Sequence, residues 1–292
     1  MDSQTISVAR GRILIVIAAI LWSLSGAFTK VLTQESSFQM GPAPVAGLQI
    51  AFFRALFAGL SLVPVLRPAA ISFRPMMLVM VLCFAVMNAL FVLAMVWGKA
   101  ANAILLQYTA PMWMYLASIW WLGERPDRRN SIALVIGLLG IAVIIWGGWQ
   151  EAQILVVAIA LGSGLAYAGV ILCLRVLRGA SAPWMTVLNH LCAAFALLPL
   201  LWFIWPPTPS IEQLLTLFLF GAIQMAFPYW LMARGLRVVS PQEAGTITLL
   251  EPLLNPVWAY LVAPRTEVPS LYTFFGGAFI LGALAWRYWP KR

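Results

Sequence analysis

The sequence predicts an all-α membrane protein of ten transmembrane helices, built as a five-plus-five inverted repeat with both termini in the cytoplasm. Three observations predict this fold class. The composition is too apolar for a soluble protein, the apolar residues form segments long enough to cross a bilayer, and similar residues recur in the same order in both halves. Together they favour one integral membrane domain.

The composition excludes a soluble fold. Apolar residues occupy 63% of the 292 positions, and Asp, Glu, Lys and Arg together only 9%. Soluble domains carry roughly 25% charged residues, so this chain lacks the side chains for a water-facing surface. Cys83, Cys173 and Cys192 lie in apolar runs without the spacing of a metal or disulfide framework. With no Gly-rich nucleotide motif either, we expect no metal, no cofactor and no bound nucleotide.

The apolar residues form ten segments close to the 20 or so residues that cross a hydrocarbon core of roughly 30 Å. A cleaved signal peptide is the alternative for the first segment, but that run is longer than such peptides have. The predicted spans are 13–33, 45–66, 76–97, 101–122, 131–148, 153–174, 183–205, 211–233, 241–262 and 270–289.

The distribution of Lys and Arg predicts the orientation. With the N-terminus in the cytoplasm, the outer side receives Lys30, Lys99 and Arg265, Arg54 lies inside the second span, and the other basic residues fall on the cytoplasmic side. The net charge of +9 then favours this orientation and attraction to anionic lipid, not nucleic acid. We therefore expect a multi-pass plasma-membrane protein, as in a bacterial inner membrane.

The two halves of the chain, 1–149 and 150–292, share residues in the same order. Because five spans is an odd number, the second repeat lies upside down relative to the first. The matched residues are Gly98 with Gly235, Ala103 with Ala244, Pro111 with Pro252, and Glu124-Arg125-Pro126 with Glu267-Val268-Pro269.

The chain resembles the drug/metabolite transporter superfamily, specifically its EamA-type exporters. The resemblance rests on Pro111 in QYTAP, Glu251-Pro252 in LLEPLLNP, and Gly123-Glu124, while Glu267 departs from the usual Gly-Glu context. It implies a central cavity between spans one to four and six to nine, with small exported metabolites, amino acids or drugs as substrates. Spans five and ten would be peripheral, where small residues suit close packing. These are Gly137, Gly140, Gly276, Gly277 and Gly282.

Two ionisable residues fall near the middle of predicted spans, Arg54 in the second and Glu251 in the ninth. Ionisable side chains are costly in a membrane, so each is a functional hypothesis. Three interpretations stay open: the two residues brace each other, Arg54 holds a substrate carboxylate, or Glu251 couples transport to protons. His190, the single histidine, is interpreted as a buried hydrogen-bonded residue or a proton shuttle.

Polar and aromatic residues at helical spacing predict a wet cavity, although ordinary interhelical hydrogen bonds remain the alternative for each one. Prolines inside spans free the carbonyl four residues earlier and predict kinks that serve as hinges. The cavity candidates are Trp22, Arg54, Asn88, Gln107, Tyr108, Tyr167, Gln224, Thr248, Glu251 and Asn255, and the hinge candidates are Pro111, Pro228 and Pro252.

An aromatic-walled cavity with one arginine suits a flat, singly charged solute, so aromatic or hydrophobic amino acids are the expected substrates and other amphipathic metabolites or drugs the alternative. The leading hypothesis is a secondary transporter working by alternating access. A membrane-embedded lipid-modifying enzyme would need clustered catalytic side chains, and a passive channel a continuous polar lining. We expect no catalytic residues, a small-molecule substrate, a lipid environment, and a monomer or homodimer.

Overall fold

The computed structural model describes residues 7–33, 37–38, 40–41, 43–121 and 123–288. Every regular element among these residues is helical. Short 3-10 helices occur at Val63–Val65 and Pro68–Ala70, and a π-helix at Phe220–Ala226. The α-helices are α1 (Val8–Ser23), α2 (Ser25–Leu32), α3 (Gly47–Leu62), α4 (Met76–Trp97), α5 (Ala100–Gln107), α6 (Ala110–Trp120), α7 (Arg128–Gln150), α8 (Ile154–Val176), α9 (Ala182–Ile204), α10 (Ile211–Leu219), α11 (Phe227–Gly235), α12 (Pro241–Thr248), α13 (Leu250–Val262) and α14 (Leu271–Tyr288).

Seven helical segments in the described residues are long and apolar enough to cross a membrane, which confirms an all-helical membrane fold. The other three predicted spans are 101–122, which contains α5 and α6, 241–262, which contains α12 and α13, and 270–289, which contains α14. Residues 122 and 289, the last of the first and third of these spans, lie outside the described residues, as do Lys291 and Arg292. The ten crossings and the cytoplasmic termini stay predictions. The seven segments are Val8–Leu32, Gly47–Val65, Met76–Trp97, Arg128–Gln150, Ile154–Val176, Ala182–Ile204 and Ile211–Gly235.

Two of the predicted spans are each broken into two helices, and both breaks follow from proline chemistry. Proline lacks the N–H that would bond the carbonyl four residues earlier. For Pro111 that carbonyl belongs to Gln107, where α5 ends, and for Pro252 it belongs to Thr248, where α12 ends. The fourth and ninth spans are therefore interrupted at matching points.

Two further spans are irregular: the sequence did not predict the break in the first, whereas Pro228 predicted a kink in the eighth. The first span is interrupted at Leu24, between α1 and α2, where the Ser23 hydroxyl donates to the carbonyl of Ile20 at 2.6 Å. The eighth span contains the π-helix, which ends directly before the turn that holds Pro228. Breaks of this kind in membrane helices are tolerated where the freed backbone groups are buried in protein or line a cavity.

The main helix contacts join the two halves of the chain. Helix α4 packs against α8, α3 against α9, α1 against α11, and α7 against α14. On α4, Leu78, Leu82 and Val86 form an exposed apolar stripe, as expected of a face turned to lipid. The interior therefore lies between the halves, where polar side chains from both can meet.

Helices α7 and α14 come into close backbone contact at two glycines. A Cβ atom on Gly140 would lie 2.6 Å from the carbonyl oxygen of Gly276, and one on Gly276 would lie 2.7 Å from the carbonyl oxygen of Gly140. Apart from the backbone of its own helix, no atom of the described residues lies within 4 Å of the same position on Gly282, which the sequence grouped with them. It therefore does not serve the close packing that the sequence predicted for it.

We expect Gly140→Val to lower the free energy of unfolding by about 1–3 kcal/mol, because its side chain forces two helix backbones apart. The measurement is thermal unfolding of the purified protein in detergent. Gly282→Val carries the same change of helix propensity into open space and is the matched control. Equal destabilisation by both variants would contradict the prediction.

Candidate functional site

Arg54 lies on α3 with a relative exposure of 2%. Its guanidinium donates a hydrogen bond to the Oδ1 atom of Asn88 on α4, and the Nδ2 atom of Asn88 donates to the carbonyl of Ala51 at 3.0 Å. The guanidinium carbon is 5.2 Å from the ring centroid of Phe220 and 5.6 Å from that of Phe91. The cation is thus oriented by an amide and held between two aromatic rings.

Glu251 lies in the first turn of α13 and is half-buried. The Tyr108 hydroxyl, at the break between α5 and α6, is 2.7 Å from the Oε2 atom of Glu251 and 3.1 Å from the carbonyl oxygen of Thr248. That carbonyl is the one that Pro252 leaves without its helical donor. One tyrosine therefore joins the breaks of the fourth and ninth spans.

Arg54 and Glu251 do not brace each other directly in this structure. No ion pair joins them in the described part of the chain, and their hydrogen-bond partners are Asn88 and Tyr108 respectively. They nevertheless share one region, since each lies within electrostatic range of the other and of the Tyr229 position on α11. The site thus contains a cation and a carboxylate, each with a neutral partner.

Aromatic rings surround this region. The ring of Tyr229 has its centroid 5.1 Å from that of Trp22 and 5.5 Å from that of His190. His190 in turn lies 4.8 Å from Phe84. Tyr229 was not among the cavity candidates from the sequence. Its central place depends on contacts among α1, α9 and α11 that no local pattern indicates.

Several buried polar atoms in this region have no hydrogen-bond partner among the described residues. The His190 Nδ1 atom is 2.8 Å from the carbonyl oxygen of Thr186, so this nitrogen carries the proton and the unpartnered Nε2 is an acceptor. Gln224 donates to the carbonyl of Trp22 at 2.6 Å, which leaves its Oε1 atom unpartnered. The Nε atom of Arg54 is also unpartnered. These atoms are available to a polar ligand.

The other predicted residues lie around this centre. Asn255 on α13 is fully buried and donates to the hydroxyl of Ser25 at 2.7 Å. Gln107 is buried at the end of α5, and Tyr167 is half-buried on α8. Thr248 ends α12, where its hydroxyl donates to the carbonyl of Gly245 at 3.0 Å. The hinge candidates Pro111, Pro228 and Pro252 fall in the first turns of α6, α11 and α13.

Sequence reasoning missed a buried ion pair between Lys30 and Glu267. Lys30 was assigned to the outer surface by its charge, but its Nζ atom lies 2.9 Å from the Oε1 atom of Glu267, and both side chains are 2% exposed. Lys30 also donates to the carbonyl of Gly98 at 3.0 Å, and Glu267 accepts from the backbone N–H of Ala100 at 2.8 Å. Only the match between Glu267 and Glu124 hinted at a special role.

A second ion pair joins Glu124, after α6, to Arg175 in the last turn of α8. Both side chains are 42% exposed. The hydrogen bond from Arg175 lowers the pKa of the Glu124 carboxyl from its ordinary value, so this carboxylate is ionised at neutral pH. We call this the exposed ion pair, and Lys30 with Glu267 the buried ion pair.

Comparison with known proteins agrees with the resemblance seen in the sequence. The profile of the EamA-like transporter family matches the chain twice, over residues 9–146 and 154–288. A pseudopaline exporter, CntI of Pseudomonas aeruginosa strain UCBPP-PA14, is 25% identical over 276 residues, covering 92% of this chain and 93% of the relative. The transporter YwfM of Bacillus subtilis strain 168 is 30% identical over 188 residues, covering 61% of this chain and 62% of the relative.

A solved crystal structure has the same fold. It superposes with a TM-score of 0.61 at 17% sequence identity, covering 96% of this chain and 98% of that one. At this identity the likeness concerns the fold alone. It extends over both halves of the chain.

Proposed function

Because the chain belongs to the EamA-like transporter family, we propose that it is a secondary transporter that exports amino acids with aromatic or hydrophobic side chains. Family membership makes the protein a transporter and not an enzyme. The relatives whose names specify exporters support the direction of transport. The substrate class rests on the site around Arg54 and Glu251.

The proposed substrate class rests on one observation: Arg54 and Glu251 have opposite charges, and neither has a charged hydrogen-bond partner among the described residues. A buried charge is costly unless it is paired, yet Arg54 bonds to a neutral amide and Glu251 to a neutral hydroxyl in the described part of the chain. A zwitterion would satisfy both, with its carboxylate on Arg54 and its ammonium group on Glu251. An α-amino acid is the simplest solute with these two groups.

The surrounding side chains favour an apolar, flat substituent on that solute. Trp22, Tyr229, Phe91 and Phe220 supply ring faces and edges next to Arg54 or to one another. Aromatic pairs of this kind contribute about 0.5–1.5 kcal/mol beyond their buried area. A phosphorylated sugar fits poorly, because its dianionic group calls for more than one cation.

Alternating access between two inverted repeats, 1–149 and 150–292, is the proposed mechanism. The double match of the family profile supports the division. The helix contacts support it too. Spans three and six, which contain α4 and α8, are equivalent to spans eight and one, which contain α11 and α1, and both pairs are in contact. The α3–α9 and α7–α14 contacts each join a span to its own equivalent. Ten crossings with cytoplasmic termini, in a bacterial inner membrane, complete the proposal.

The test is uptake into proteoliposomes of radiolabelled tryptophan, phenylalanine and threonine, with and without a pH gradient. Tryptamine and 3-indolepropionate, which lack the carboxylate and the amine respectively, are the matched controls, and a phosphorylated sugar is the negative control. We expect saturable tryptophan flux that exceeds the flux of both truncated analogues.

Each alternative has its own result. Flux of tryptamine equal to that of tryptophan would contradict the recognition of a zwitterion and favour cationic drugs as the substrates. Flux that rises linearly with concentration, without saturation or exchange, would identify a passive channel. Accumulation only under a pH gradient would assign proton coupling, with Glu251 the first residue to test.

A further inference from the structure

The buried and the exposed ion pair occupy equivalent positions in the two repeats. Glu124 follows the fourth span and Glu267 the ninth, and the sequence aligns them through the proline two residues later. Arg175 lies in the last turn of the sixth span and Lys30 in the last turn of the first. Exchanging the two repeats therefore converts one ion pair into the other. In the proposed orientation they lie on opposite faces of the membrane.

The two pairs differ sharply in their surroundings. Lys30 and Glu267 are 2% exposed, whereas Glu124 and Arg175 are 42% exposed. The buried pair also bonds to the backbone at Gly98 and Ala100, so it ties together the end of α2, the connector between α4 and α5, and the segment after α13. Equivalent side chains thus sit in a closed environment on one face and an open environment on the other.

Burial along the broken spans follows the same asymmetry. Every residue of α5, which begins beside the buried pair, is buried, and so are Ser25, Gly26 and Thr29 on α2. In α12, which begins at the opposite face, Ala244 is the only buried residue. The half of the central region that leads to Lys30 and Glu267 is therefore packed shut, and the half that leads away from them is looser.

We propose that Lys30 and Glu267 form the gate that closes the outer face of the transport path, and that Glu124 and Arg175 form the corresponding gate at the cytoplasmic face. This rests on the alternating access proposed above. The present structure is the state with the outer gate closed. In the opposite state the exposed pair becomes buried and the buried pair becomes hydrated.

The physical reason is the dependence of ion-pair strength on environment. Opposite charges attract strongly in a low-dielectric interior, whereas an exposed pair is screened by water and contributes little. Removing one partner of a buried pair leaves an uncompensated charge that water must reach. Neutralising either member should therefore open the outer face, and neutralising the exposed pair should leave the outer face as it is.

The test measures access from outside to a cysteine placed behind the gate. In a background without Cys83, Cys173 and Cys192, Ser25→Cys introduces a thiol of similar size at a position that is 1% exposed. A membrane-impermeant maleimide is added to intact cells. We expect Glu267→Gln and Lys30→Gln to raise the modification rate by at least about tenfold, as a shift in a two-state population allows.

Two controls define the result. Glu124→Gln makes the same carboxylate-to-amide change in the exposed pair and should leave the rate unchanged, and Lys30→Arg, which keeps the charge, should stay protected. A parallel chain that retains only Cys173, buried on α8, reports unfolding. Modification of Cys173 together with Ser25→Cys would overturn the gate in favour of a purely structural ion pair. An unchanged rate in both neutral variants would also overturn it.

The labelling needs no substrate, so it separates the gate from the proposed function. If Glu267→Gln and Lys30→Gln speed the labelling but no amino-acid flux is found, the gate is supported and the substrate class is rejected. Amino-acid flux with no effect of Glu267→Gln on labelling would reject the gate and leave the transporter standing.

Discussion

We expect Arg54→Gln to lower kcat/KM for tryptophan transport by roughly 30-fold to 5,000-fold. Among the described residues the Arg54 guanidinium is the one cation of the central site. Losing one partner of a buried, hydrogen-bonded charge pair typically costs about 2–5 kcal/mol. Most of the effect should appear in KM, because the lost contact is present as soon as the substrate binds. Initial rates of uptake into proteoliposomes measure it directly.

The control for this variant is Arg265→Gln, the same substitution at an exposed position. The diagnostic substrate is tryptamine, which has no carboxylate to lose. If Arg54→Gln reduced tryptamine and tryptophan flux by the same factor, Arg54 would support the structure of the site through Asn88 and would not bind the substrate carboxylate.

The second large effect is expected for Glu251→Gln. Hydrogen bonds to charged groups contribute about 1.5–3 kcal/mol, so KM for tryptophan should rise roughly 10-fold to 100-fold while flux of 3-indolepropionate, which has no amine, is unchanged. The glutamine oxygen can still accept the Tyr108 hydroxyl, so the join between the two broken spans is preserved. The same uptake assay measures both substrates.

Glu212→Gln, at the exposed start of α10, is the matched control. A different result would assign Glu251 another role. If the variant kept its affinity for tryptophan but no longer responded to a pH gradient, Glu251 would carry the coupling proton and the ammonium group would bind elsewhere.

Local chemistry made part of this molecule predictable. Membrane helices follow from composition, and the ends of α5 and α12 follow from Pro111 and Pro252, because each proline acts on a carbonyl four residues away. Arg54 and Glu251 could be singled out because an ionisable side chain inside an apolar run is visible in the sequence itself.

Partners and environments were not predictable, because they depend on contacts between distant residues. Tyr108 and Glu251 are 143 residues apart, and Lys30 bonds to Gly98 across 68 residues. Charge alone assigned Lys30 to the membrane surface, although its helix end is covered by two other segments. The break at Leu24 contains no proline, so the sequence carried no comparable sign of it.

The hydroxyl of Tyr108 has one proton and two acceptors within reach, the Glu251 carboxylate and the Thr248 carbonyl. An ammonium group that binds Glu251 competes for the first acceptor, which leaves the second to the hydroxyl. Ligand arrival would then strengthen the hydrogen bond from Tyr108 to the Thr248 carbonyl, which joins the breaks of the fourth and ninth spans. The same hydroxyl proton of Tyr108 would then respond to substrate binding at Glu251 and hold the two broken helices together. Substrate affinity and the turnover rate should therefore change together when Tyr108 is altered.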